Sequence, residues 1–411
     1  MRKMLRYELK KIFVKPSGKI ALLLLAVLLG VVCWFATDVG FINEQGERET
    51  GIQTMRKLRD IRKEWAGELT EERLAEVIAE NARINALPGY WGDDGWATDA
   101  GYGWKQGIAD ISDMLCRAFG KFREFDYRIV NSLKPEDAGQ FYERRIEQLK
   151  EWLDGEAVDQ FSDQEKEFLI HRFEELETPL YYDYMSGWDQ LLEYAPTIIM
   201  ITVFVLGFLA AGIFSGEFQL KADAVFFSSR YGRGRASGAK LGAGLVMVTG
   251  IYWTMILLYS VIVLGYLGAD GGSCPIQITG RGWKWFTNIT ILQEYLLVIF
   301  GGYLGTLFML LLVMLVSAKT RSAVLAVMVP FLLIFLPNFL MNIPDATINK
   351  ICGVLPDQLL QMNMAAGYYN LYQIGEIVTG EVPILITVYL VLTVILCPLI
   401  YQVYRKTEAG A

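Results

Sequence analysis

The stretch from residue 215 to 240 holds the densest set of side chains suited to recognition. Glu217 comes first, then the apolar group Val225, Phe226 and Phe227, then Ser228, Ser229, Arg230, Arg233, Arg235 and Lys240. Aromatic anchors beside arginine forks carry much of the binding energy at protein–protein contacts. The pattern predicts a docking surface. A loop that only sets membrane orientation needs the Lys and Arg residues but not the central Phe pair.

Catalytic constellations are missing. The chain has one histidine, which excludes the paired histidines of a zinc protease helix. That residue, His171, lies nearly opposite the stripe Leu169, Phe173 and Leu176 and is expected to be exposed. No phosphate-binding P-loop occurs: Gly18-Lys19-Ile20 and Gly238-Ala239-Lys240 lack the loop and the following hydroxyl. Gly232, Gly234 and Gly238 have the wrong spacing for a dinucleotide turn. No serine-nucleophile or intramembrane aspartate motif is present. Asp93, Asp94 and Asp99 do not match a calcium loop. The expectation is a non-catalytic chain with no cofactor, no metal and no nucleic-acid partner.

The elements that position the loop follow from composition. Of 411 residues, 53% are hydrophobic and mean hydropathy is +0.30. Apolar runs of bilayer-spanning length fall at 20–37, 196–214, 241–267, 292–316, 323–341 and 383–404. The fifth contains Pro330 and Pro337, where a break is expected. With the N-terminus inside, the short inner segments hold 16 Lys/Arg against four acids, a net of +12. The short outer segments carry a net of −3, and residues 38–193 a net of −16. Basic short loops stay on the cytoplasmic side, and long translocated domains are exempt from that rule. The reading is an all-α integral protein of the cell membrane with six spans and both termini cytoplasmic. It divides into 1–19, the first span 20–37, an acidic helical extracytoplasmic domain over 38–193, and a bundle over 194–411 with an inner loop 215–240 and an outer loop 342–382.

Residues 1–19 carry seven Lys/Arg. Met1, Met4, Leu5, Leu9, Ile12 and Phe13 share one helical face, with most of the basic residues off it. Such a helix lies in the headgroup plane as an elbow, or is simply a basic flank setting orientation; Pro16-Ser17-Gly18 then turns the chain into the bilayer. In the domain, Met55, Leu58, Ile61 and Trp65 recur at helical spacing, as do Leu74, Val77, Ile78 and Ala82. Pro135 opens another helix, and Ser162 with Glu165 fits a capping box. The Gly- and aromatic-rich stretch 88–104 reads as a loop, which either contacts a ligand or packs on the domain.

Three pairs of small residues suit close helix packing or arise by chance: Gly212/Gly216, Gly238/Gly242 and Gly301/Gly305. The last lies well inside a span and is the preferred contact, within or between subunits. Tyr252, Trp253, Thr254, Asn338 and Asn342 either line a pathway or join helices. Glu294 stands at the outer end of its span, and mid-bilayer acids and bases are otherwise missing. Gradient-coupled carriers usually use such residues, so an external energy source is favoured. Cys33 and Cys397 sit in spans; a Cys274–Cys352 bridge is one pairing that their placement allows.

The basic elbow, the six-span count, the large domain after the first span and the loop running from Glu217 through Ser228-Ser229-Arg230 to Lys240 together resemble ABC-2-type permeases, the membrane subunits of one class of ABC exporters. The resemblance covers most of the membrane portion and not the domain. The loop departs from the family pattern at Lys221-Ala222-Asp223, where a glycine is usual. The resemblance implies a short coupling helix resting on a separate ABC-type ATPase subunit, with Glu217, Phe226, Phe227, Arg230, Arg233 and Lys240 in contact or coupling. It also implies a second permease subunit, identical or not. The acidic domain either meets a cationic substrate such as a peptide or is simply solvated. The rival reading is a membrane-anchored sensor or immunity protein that binds a peptide through that domain without transport.

Overall fold

The computed structural model describes residues 2–229, 231–340 and 346–406, apart from the side chains of Asn338 and Ala346. Arg230, Asn342 and the side chain of Asn338 thus lie outside the described residues. Helix α1 (Arg2–Val14) ends at Lys15, whose backbone is extended, and Pro16 opens α2 (Pro16–Thr37). Proline suits that first helical position because its missing N–H has no partner to lose there. The two helices fold so closely that a Cβ on Gly18 would lie 2.2 Å from the Ile12 carbonyl oxygen.

After α2 comes a domain of short helices: α3 (Ile52–Lys63), α4 (Glu71–Asn85), α5 (Asp99–Lys105), α6 (Ala109–Phe119), α7 (Phe141–Asp154) and α8 (Asp163–Glu174). The expected stripes are its core, with Met55, Leu58, Leu74, Val77, Ile78, Leu169 and Phe173 all buried. The capping box is present: the Glu165 N–H donates to Ser162 Oγ at 3.3 Å and the Ser162 N–H to Glu165 Oε2 at 2.8 Å. Pro135 starts a 3₁₀ turn, and the α-helix proper begins only at Phe141. The 88–104 loop is corrected in part, since its end forms α5, capped by Thr98.

The long helices are α9 (Ser186–Gln219), α11 (Ser237–Leu267), α12 (Ile291–Thr320), α13 (Ala323–Leu340) and α16 (Glu381–Arg405); α10 (Asp223–Ser228) joins α9 to α11. Counting α2, five helices among the described residues are long and apolar enough to cross a membrane, and the chain is a multi-pass membrane protein. The expected fifth span is α13, which is shorter and carries both prolines. α9 and α12 form the buried centre; α2 and α16 present mostly exposed apolar surface, as helices facing hydrocarbon would. Ser317 Oγ joins the central pair, donating to the Ala211 carbonyl at 2.6 Å and accepting from the Ser215 N–H at 3.1 Å.

α9 begins at Ser186, ten residues ahead of the expected span, and runs through Pro196. Proline frees the carbonyl four residues earlier, and Asn363 Nδ2 donates to that oxygen, on Leu192, at 3.3 Å. Among the described residues there are also three two-stranded antiparallel ribbons: β1 (Phe41–Ile42) with β2 (Arg48–Glu49), β3 (Gly67–Glu68) with β4 (Tyr181–Tyr182), and β5 (Leu371–Ile374) with β6 (Ile377–Gly380).

The domain also draws in segments beyond 38–193. Arg145 is buried and donates to the carbonyls of Trp283 (3.0 Å), Trp285 (2.8 Å) and Phe173 (3.3 Å), its guanidinium 3.9 Å from the Phe173 ring centre. Burial pushes its pKa down to about 10. Asp270 takes Arg59 and Lys63, each at 2.8 Å. Lys350, in α14 (Ala346–Cys352), meets Glu165 at 3.2 Å. Cys274 and Cys352 are both free and buried, so no bridge joins them. Replacing Arg145 by Ala would strand three carbonyls. It should lower the domain's stability by about 3 kcal/mol, measured as an earlier urea midpoint in tryptophan fluorescence; an unchanged midpoint would contradict the staple.

Candidate functional site: the loop between α9 and α11 and its buried ion cluster

Glu217 lies near the end of α9 and Lys240 in the first turn of α11. Neither reaches the surface, Lys240 being 0% and Glu217 5% exposed. Lys240 Nζ lies 2.8 Å from Glu217 Oε1, 3.2 Å from Glu8 Oε2 and 2.9 Å from the Ile213 carbonyl. Lys11 Nζ reaches the same Glu217 oxygen at 2.5 Å, and the Tyr404 hydroxyl donates to Oε2 at 3.4 Å. Two cations thus meet two carboxylates, and α1, α9, α11 and α16 are tied at one point. A buried ion is tolerable only with such pairing, since its desolvation costs several kcal/mol. Glu217 and Lys240, expected to serve in contact or in coupling, are both buried and offer no contact surface of their own.

The loop folds over this cluster. Lys221, with φ +54°, reverses the chain after α9. Gly232 packs so tightly on α10 that a Cβ would lie 1.8 Å from the Phe226 carbonyl oxygen, so glycine is required there. The Phe pair turns inward, which corrects the exposed-anchor expectation. Phe227 is 4% exposed and Phe226 half-buried; their rings lie 5.3 and 6.1 Å from the Tyr404 ring, and Phe227 also meets Phe218 at 5.9 Å. Inward packing removes more apolar area from water than display would. Lys240 Nζ sits 5.5 Å from the Phe226 ring centre. Arg233 stays exposed with its guanidinium 5.7 Å from the Phe227 ring, and Arg235 is exposed beside Tyr231 at 4.9 Å. Apolar groups that do face outward include Leu220 at 67% and Val225 at 76% exposure.

Sequence reasoning missed Glu8, Lys11 and Tyr404. Glu8 had a signal, being the one acid of a strongly basic helix with Lys11 one turn on. Tyr404 had none.

Gly301 and Gly305 pack, but not against a membrane-spanning helix. A segment after α14 re-enters the bundle between α9, α12 and α16, through a 3₁₀ turn (Gln358–Gln361) and α15 (Met362–Ala365). A Cβ on Gly305 would lie 2.8 Å from Leu359 Cβ, and one on Gly301 2.7 Å from Met362 Cε. Gly305 lies near the middle of α12, roughly 20 Å from its start at 1.5 Å per residue. The segment brings Asp357, 0% exposed, which accepts from Gln358 Nε2 at 2.8 Å and leaves Oδ1 without a partner. Asp357 comes from outside the six expected spans, and the reading of 342–382 as a plain outer loop is corrected. Tyr252 joins helices as expected, donating to the Ile299 carbonyl at 2.6 Å. His171 is exposed on α8.

The chain matches no family model, no curated protein and no solved structure.

Lys240→Ala should cost about 3 kcal/mol and raise hydrogen exchange in α1, because it leaves Glu217 and Glu8 short of a buried counter-charge. Lys11→Ala, at a half-exposed position, should cost less than about 1 kcal/mol. Equal effects would contradict the geometry. Gly305→Leu should push the re-entrant segment from its seat and make the buried Cys352 reactive to maleimide; continued protection would contradict the packing.

Proposed function

We propose that the chain is the membrane permease subunit of an ABC-2-type ATP-driven transporter, an exporter that meets a separate ABC-type ATPase subunit through residues 215–240. The observation that carries this reading is the build of that loop. α10 lies between the ends of two long helices, and a buried ion cluster joins its base to α1. A push on α10 would therefore move four helices together, as a subunit driven from outside requires.

Charge supports the orientation: a net of +12 on the short segments at the end bearing the termini favours that end on the cytoplasmic side, with the acidic domain outside. α13 would be the sixth span, since 18 residues rise about 27 Å, close to a hydrocarbon core of about 30 Å. α1 would then be the elbow in the headgroup plane. A second permease subunit, identical or not, would complete the pathway. The contact face would be Leu220, Val225, Arg233 and Arg235, with Phe226 and Phe227 supporting it from below.

Purification of the tagged chain from native membranes in mild detergent should bring down a stoichiometric ATPase. Val225→Asp with Arg233→Glu and Arg235→Glu should reduce its recovery at least tenfold without loss of membrane insertion. Absence of any ATPase partner under conditions that preserve such complexes would overturn the permease reading and leave the sensor or immunity reading. Unchanged recovery with the triple variant would overturn only the assigned face.

A further inference from the structure

The domain contains a cavity of about 480 Å³ that the permease reading does not use. Its volume is within the range of small-molecule sites. Tyr90, Trp91, Trp96, Tyr102 and Tyr127 supply aromatic walls, several from the aromatic-rich stretch of the sequence. Trp91 and Trp96 are about half exposed at its mouth, whereas Tyr90 is buried.

Two lining side chains are buried and unsatisfied. Asn81 is 1% exposed and spends its amide hydrogens on the Val130 carbonyl at 3.3 Å and Asn131 Oδ1 at 3.1 Å, leaving Oδ1 without a donor. Ser112 is 8% exposed, and its hydroxyl has no partner. Leaving such groups unpaired costs on the order of 1–3 kcal/mol each, which a donating ligand would recover.

Asn81 Oδ1 and Ser112 Oγ can both accept a hydrogen bond from a ligand. Asp94 and Asp113 add carboxylates, and one oxygen of Asp94 already accepts from the Trp96 N–H at 3.0 Å. The bases in the lining lie against its aromatic rings. Lys105 donates to Asn131 Oδ1 at 3.3 Å and lies 4.6 Å from the Tyr90 ring centre; Arg128 lies 5.0 Å from the Trp96 ring. Lys105 thus shows how a cation sits against these rings. Burial pushes its pKa down to about 8. The domain's net charge of −16 raises the local concentration of cations.

We propose that this cavity binds an organic cation, an amine or guanidinium group carried on an apolar body. Acceptors and carboxylates take the N–H donors, and the aromatic walls take the body and the charge. The group arrives either as a side chain of a cationic peptide or as a free polyamine. The site stands whether or not an ATPase partners the chain.

The test uses the full chain in detergent micelles, with tryptophan fluorescence followed during titration with spermidine, with a short peptide of Lys and Leu, with the same peptide acetylated on its lysines, and with maltose. Saturable quenching by spermidine or by the unmodified peptide is expected, and which of the two responds identifies the source. Most of the signal should disappear in Trp96→Phe. Asp94→Asn with Asp113→Asn should weaken binding at least tenfold, and Ser112→Ala several-fold. Three results would overturn the proposal: no saturable response to either amine, equal binding of the acetylated peptide or maltose, or a response that survives the double carboxamide change, which is then association with the micelle.

Discussion

A lysine with no exposed surface must find its counter-charges inside the fold, and the bundle is arranged so that Lys240 does. Glu217 approaches from α9, Glu8 from α1, and the Ile213 carbonyl takes a further ammonium hydrogen. Desolvating these groups is costly, so the arrangement is stable only when all are present. Lys11 and Tyr404 complete the shell around Glu217. The N-terminal helix α1, the roof formed by Phe226 and Phe227, and Tyr404 at the end of α16 all meet at this point. α10 rests on the same cluster through the Phe226 ring, 5.5 Å from Lys240 Nζ.

A second constraint acts deeper in the bundle. Gly301 and Gly305 open a groove on α12, Leu359, Leu360 and Met362 fill it, and Asn363 repairs the carbonyl that Pro196 releases on α9. Non-helical backbone at membrane depth is tolerated where protein covers it. Two glycines, one proline and one asparagine from three separate segments thus form a single packing solution. Its cost is the buried Asp357, whose unpartnered oxygen makes the segment more than a filler.

Much of this organisation was legible in the sequence because it rests on local pattern. Apolar run length gave five of the spans, Pro16 the break after α1, and Ser162 with Glu165 the start of α8. The composition of 215–240 singled out a segment that folds into a short helix and a tight turn, but gave the wrong direction for its aromatic residues. A six-residue helix does not reveal which side faces the protein when the ring that decides it, Tyr404, lies on the last helix. The re-entrant segment was illegible for a related reason: Val354, Leu355, Leu359, Leu360 and Met362 are interrupted by Pro356, Asp357 and Gln358, so neither run length nor periodicity marks it. The acceptor-lined cavity also escaped, since unsatisfied oxygens on Asn81 and Ser112 become visible only once their neighbours are placed.

The claim on which the account rests is that Glu217 and Lys240 act as one unit holding α1. A double-mutant cycle with Glu217→Gln and Lys240→Met, read as the free energy of hydrogen exchange for amides 2–14, tests it most directly. The account predicts that the double variant is less damaged than the sum of the single variants, with a coupling of about 2 kcal/mol or more. Additive effects would show that the two charges are independent of each other and would contradict the cluster as the link between loop and elbow.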